Sequence, residues 1–126
     1  MKEQIMTVDD SAVMRRIISG GIEAIGYQPV EAKHGRDALD QLDAKSEEIA
    51  LILLDWNMPE MNGLDTLKAL KSDPRTAEIP VMMVTTERER GNVVVAIQEG
   101  AQHYLTKPFN QQDLMTRMMQ CLGLGV

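Results

Sequence analysis

Four short clusters in this chain carry side chains that could act together: Asp9-Asp10, Asp55, Thr85-Thr86 and Lys107-Pro108. Three carboxylates brought to one place repel one another. At ~5 Å and an effective dielectric of about 20, each pair costs roughly 3 kcal/mol. Lys107 would offset part of that, and a divalent cation more. Oxygen-only ligands on a small, partly open site suit Mg²⁺, which keeps several waters and accepts phosphate. No His or Cys belongs to these clusters, which argues against zinc. Metal, amine and hydroxyl around a carboxylate suggest phosphoryl transfer onto that carboxylate as an aspartyl phosphate. Asp55 is the best nucleophile, because it stands alone after an apolar run, whereas Asp9-Asp10 reads as a metal-holding pair. Lys107 would neutralise a phosphoryl oxygen as charge develops, and the Thr85 hydroxyl would donate to another.

The chemistry needs a scaffold that gathers residues spread over 98 positions, from Asp9 to Lys107. The chain alternates strand and helix five times. Gln4–Val8, Gln28–Ala32, Ile49–Leu54, Pro80–Thr85 and His103–Thr106 read as strands. Ile49–Leu54 is apolar throughout, as expected of a parallel strand buried on both faces. Helices are predicted from Ser11 to Gly26, over Arg36–Ala44, Asn62–Ser72 and Gly91–Glu99, and over Asn110–Leu122. Ser11 and Asn110 are N-caps, and Gly26 and Gly123 are stops. The first helix repeats Val13, Met14, Ile17, Ile18, Ile22 and Ile25 at helical spacing, and the third carries Leu64, Leu67 and Leu70 inward. Strictly alternating elements predict an α/β fold with a five-stranded parallel sheet and helices on both faces. The flavodoxin-like order 2-1-3-4-5 puts the ligand crevice at the carboxyl ends of strands one and three. All four clusters lie at or just past the carboxyl ends of strands in that scheme.

Composition narrows the alternatives. A chain of 126 residues suits one domain, and 44% apolar with 25% charged residues is ordinary globular composition. Thirteen basic residues against nineteen acidic ones give a net charge of −6. The four aromatics are Tyr27, Trp56, Tyr104 and Phe109. Without a basic tract or stacking platform, direct nucleic-acid binding is not expected. Cys121 is the only cysteine, so no internal disulfide can form. Met1–Asp10 lacks the apolar core of a signal peptide, and no apolar run approaches the ~20 residues of a membrane span. The chain therefore reads as cytoplasmic with no membrane partner. The ten methionines sit mostly among Leu, Ile and Val and read as core fillers.

Each cluster also has a plain structural reading. Acids favour a helix N-terminus, Thr85 is a good strand residue, Lys107 is an ordinary surface residue, and Tyr104 is an amphipathic ring with a wet hydroxyl. The combination in register is what favours chemistry. Trp56 either packs over the site or meets a partner. His34 and His103 read as structural or solvent-facing, and Arg15 and Arg16 as a solvated helix face. Gly21 and Gly26 have P-loop spacing, but Tyr27 follows where that loop needs Lys.

Val8-Asp9-Asp10-Ser11, Leu54-Asp55-Trp56-Asn57-Met58-Pro59 with Met61-Asn62-Gly63, Val84-Thr85 and Lys107-Pro108-Phe109 occur in that order. Together they resemble the receiver domain of two-component response regulators, over essentially the whole chain. Met14-Arg15-Arg16 and the Asp55–Pro59 string are similar to single-domain members acting in chemotaxis. The resemblance implies phosphorylation of Asp55. It implies Mg²⁺ held by Asp10, Asp55 and the main-chain carbonyl of Asn57, with Asp9 acting through metal-bound water. Lys107 and Thr85 would bind phosphoryl oxygens, and the Lys107-Pro108 bond would be cis. Tyr104 would be an aromatic switch that follows Thr85. The output surface would be the fourth helix, fifth strand and fifth helix, including Val93, Tyr104, Thr106 and Arg117. Residues 1–126 would form one receiver domain with no output domain. Departures from the chemotaxis pattern fall at Glu60, Asn62, Thr86 and Glu87-Arg88-Glu89-Arg90-Gly91. Asn57 and Glu87 hold positions that tune self-dephosphorylation in the family.

The function expected is therefore a signalling switch in chemotaxis, a monomer that catalyses only its own phosphorylation and dephosphorylation. A histidine kinase would supply the phosphoryl group, and a protein such as the flagellar motor switch would receive the signal. A phosphate shuttle or sink in a multi-step relay uses the same site and is the alternative. An Mg²⁺-dependent phosphohydrolase is a third reading. It lacks the general acid often found two residues past such a nucleophile, where this chain has Asn57.

Overall fold

Ile49–Leu54 forms β3, the middle strand of a five-stranded sheet, with all but one of its six residues buried. In this computed structural model, which describes residues 2–124, the other strands are β1 (Gln4–Val8), β2 (Gln28–Ala32), β4 (Val81–Thr85) and β5 (His103–Thr106). All neighbouring strands pair in parallel, in the order β2-β1-β3-β4-β5. The fold class and strand order are those expected from the sequence. Met1, Gly125 and Val126 of the expected domain lie outside the described residues. Parallel neighbours need crossovers, and four helices supply them: α1 (Ala12–Ala24), α2 (Gly35–Lys45), α3 (Gly63–Ser72) and α4 (Arg90–Gln98), with α5 (Gln111–Cys121) following the last strand. A single 3-10 turn at Ser46–Glu48, absent from the sequence reading, leads into β3.

Strand alternation splits the core in two. Met6, Val8, Ile52, Leu54, Val81 and Met83 pack with α2, α3 and Ala96 of α4. Ile5, Leu51, Leu53, Met82 and Val84 pack with Ile18 and Ile22 of α1 and Leu114 and Met118 of α5. No methionine among the described residues is exposed, in keeping with their reading as core. Two expectations need correction. Val13 and Ile17 are 65% and 45% exposed, because the sheet covers only part of α1's wide apolar arc. Leu64 is only half-buried, and Thr66 takes a buried place beside Leu67 and Leu70.

The outer strands are β2 and β5. β2 carries Pro29 at its second position, opposite Ile5. Among the described residues, no helix is long and apolar enough to cross a membrane.

Candidate functional site

The sheet's own hydrogen bonding continues past the strand ends and fixes the site. The Asp9 amide donates to the carbonyl of Ala32 (3.1 Å), and the Asp55 amide to Val8 (3.0 Å). The Lys107 amide donates to Thr85 (2.9 Å). Each of these residues is thus placed by its backbone against a neighbouring strand before its side chain makes a contact. One carboxylate oxygen from each of Asp9, Asp10 and Asp55 falls within a 4.8 Å group. Asp9 and Asp55 are buried, and Asp10 is exposed. Lys107 Nζ donates to Asp9 Oδ2 at 2.7 Å and to Asp55 Oδ2 at 3.4 Å. The Ser11 amide donates to Asp9 Oδ1 at 2.9 Å.

Three carboxylates against one ammonium leave a surplus of negative charge. Burial pushes the Asp55 carboxyl above its ordinary value of 3.8, and the charge of Asp9 pushes the same way. The Thr85 hydroxyl and the Lys107 ammonium oppose them. The donor set is oxygen only, partly open, and short of positive charge, so these residues fit a hard divalent cation. The Lys107-Pro108 peptide is cis, as the resemblance implies.

The loop after Asp55 is held from two sides. The Gly63 amide donates to the Trp56 carbonyl at 2.8 Å. A Cβ on Gly63 would collide with the carbonyl of Asp55 and with Trp56 Cα, so only glycine lets α3 start this close to Asp55. Asn57 lies exposed two residues past Asp55, and Glu60 has a φ of 67°. Trp56 is half-buried against the α2–α3 side of the core. His34 has a structural role. Its Nδ1 accepts from the Asp37 amide at 3.2 Å and caps α2, while Nε2 lies 3.3 Å from Glu60 Oε2.

Thr85 is fully buried, and its hydroxyl accepts from the Glu87 amide at 3.2 Å. The Glu87 carbonyl in turn accepts from the Tyr104 hydroxyl at 2.6 Å. Tyr104 is therefore not the wet amphipathic ring of the plain reading. Its phenol is pushed up to about 12 by burial, then by the charges of Glu87 and Asp55. Arg117 Nη1 donates to the Tyr104 carbonyl at 2.6 Å, which ties α5 to β5. Val93 and Thr106 are half-buried on α4 and β5. Arg88 Nη2 donates to the Lys107 carbonyl at 2.7 Å. A single chain of hydrogen bonds thus runs from Thr85 beside the acids to Tyr104 and Arg117 on the α4–β5–α5 side.

The sequence reading missed Arg88's contact and misjudged Arg15. The sequence places Arg15 on a solvated face, but its side chain is only 12% exposed. It donates from Nη1 to the Asp9 carbonyl at 2.6 Å and from Nε to Glu31 Oε1 at 2.9 Å. Arg16, the next residue, is exposed as expected. The available signal was position: Arg15 lies one turn past the Ser11 cap, near the acid end of α1. A surface cleft of about 550 Å³ between Asp43–Glu48 and Arg75 adjoins the turn before β3. It lies at the opposite end of the sheet from the acids.

Residues 5–119 match the response regulator receiver domain family, and the chain belongs to that family. It is 46% identical over 121 residues to chemotaxis protein CheY1 of Helicobacter pylori, spanning 95% of this chain and 97% of that protein. It is 40% identical over 123 residues to the chemotaxis protein CheY homolog of Campylobacter jejuni, spanning 97% and 94%. The solved structure of Vibrio cholerae chemotaxis protein CheY4 superimposes with a TM-score of 0.87 at 30% identity, covering 97% of this chain and all of that one.

Proposed function

We propose that this chain is a cytoplasmic response regulator that accepts a phosphoryl group from a histidine kinase onto Asp55. Residues 1–126 work as one receiver unit, and the signal passes to a protein target in a chemotaxis pathway. The observation that carries the reading is the Asp9, Asp10 and Asp55 cluster with Lys107 shared between two of its carboxylates. The near end-to-end similarity to chemotaxis proteins supports the pathway.

The residues suggest the course of transfer. A carboxylate oxygen of Asp55 attacks phosphorus, the P–N bond to the donor histidine breaks, and the imidazole leaves with the electron pair. Lys107 bridges Asp9 and Asp55, which leaves its ammonium beside the oxygen that would carry the phosphoryl group, within a short swing of a phosphoryl oxygen. Asp10, Asp55 and the Asn57 carbonyl would hold Mg²⁺, with Asp9 acting through water. When bound, the metal would neutralise phosphoryl charge. The Thr85 hydroxyl can turn its proton to another phosphoryl oxygen. Any movement of Thr85 pulls on the Glu87 amide and hence on Tyr104. The surface that changes includes Val93, Tyr104, Thr106 and Arg117. The protein acts as a switch rather than as an enzyme on a separate substrate.

Incubation with acetyl phosphate and Mg²⁺, followed by mass spectrometry, tests the reading. A single added phosphoryl group is expected, lost with a chelator and in Asp55→Asn. No label under conditions where Mg²⁺ binds would remove the phosphoacceptor role. Transfer of the group from Asp55 to a histidine protein, with no phosphorylation-dependent target, would favour a relay shuttle.

A further inference from the structure

Arg15 is a long cation on a surface helix, yet its side chain is 12% exposed, while Arg16 beside it is exposed. Its guanidinium is held at two points. Nε donates to Glu31 Oε1 on β2 at 2.9 Å, and Nη1 donates to the main-chain carbonyl of Asp9 at 2.6 Å. That carbonyl belongs to the peptide joining Asp9 to Asp10, past the end of β1.

The two acids differ in what fixes them. The Asp9 carboxylate is held by the Ser11 amide and by Lys107. The Asp10 side chain is exposed, and the plane of the 9–10 peptide sets the direction in which it leaves the backbone. We propose that Arg15 is a positioning residue for metal binding: by fixing the Asp9–Asp10 peptide from the β2 side, it presents the Asp10 carboxylate to a divalent cation. The inference rests on the metal-assisted reading above. Partners behind metal ligands typically contribute ten- to a hundredfold in affinity.

Charge predicts the opposite sign. A guanidinium close to an acid cluster repels an incoming cation, so its removal should tighten binding if charge were its only influence. Arg15→Lys holds charge constant and loses the two-point fork. Mg²⁺ titration of the full chain, followed by Trp56 emission and by calorimetry, separates the two. Urea unfolding of the metal-free proteins tracks any purely structural effect. Arg15→Lys and Arg15→Ala are each expected to bind Mg²⁺ about tenfold more weakly than the parent. Glu31→Ala, which frees one side of the fork, should fall between. Should Arg15→Ala fail to fold, Arg15→Lys and Glu31→Ala carry the test. Arg15→Lys binding within about twofold of the parent, or Arg15→Ala binding more tightly, overturns the proposal. A parent that binds no Mg²⁺ overturns the metal reading itself, and this inference with it.

Discussion

Asp55 enters the folded state as a buried acid beside a second buried acid, with one ammonium leaning toward the other. Its carboxyl is raised above the ordinary 3.8, chiefly by burial. The effect on stability has a definite sign. Below pH 3.8 both folded and unfolded chains carry the proton, and Asp55 adds no penalty. As pH rises through the raised folded value, the unfolded chain releases the proton more readily, and stability falls. Asp55→Asn should therefore have a higher urea midpoint than the parent at neutral pH without metal, and the gap should close in acid. Adding Mg²⁺ should stabilise the parent by mass action and leave the variant nearly unmoved. A variant no more stable than the parent at neutral pH would mean Lys107 and Thr85 compensate the buried charge fully.

Helix starts were the most legible elements. Ser11 accepts from the Met14 amide and Asn110 from the Asp113 amide, the caps that the sequence suggested. Ser11→Ala and Asn110→Ala should each cost about 1 kcal/mol in urea unfolding. Four strands, β1, β2, β3 and β5, also begin and end where the sequence reading puts them, and the fourth starts one residue later, at Val81 rather than Pro80. Other features depended on partners remote in sequence. Periodicity marked α1's apolar arc, but not that the sheet and α5 reach only Ile18, Ile22 and their neighbours, leaving Val13 and Ile17 out. The four clusters of the site were readable because strand ends converge by topology. Arg15 was not, because its burial depends on Glu31 and the Asp9 carbonyl meeting it from another strand. The sequence leaves His34 structural or solvent-facing, and its capping of α2 needs geometry that no pattern of residue types reports.

Across the molecule, packing is uneven. α1 and α5 bury several large side chains, whereas α4 buries only Ala96 and leaves Val94 and Ile97 about half exposed. Its N-cap, Glu89, makes no side-chain capping bond. Helices with few buried contacts open at low free energy. Amide hydrogen exchange should therefore be roughly tenfold or more faster in α4 than in α1 or α5. Equal protection would mean the Tyr104–Glu87 and Arg88–Lys107 bonds rigidify the helix from its start. A loosely seated helix that starts three residues past Glu87, a link in the bond chain from Thr85, is a natural element for a small event at Asp55 to move. The same unevenness does not extend to the rim of the sheet. Pro29, in the outer strand β2, has no amide hydrogen to offer a neighbour, and the charged Glu31 follows two residues on. The opposite outer strand, β5, is only four residues long. Unpaired rims are where sheets recruit one another into aggregates. A proline and a carboxylate on one outer strand, and a short strand on the other, oppose the edge-to-edge growth of one sheet onto another.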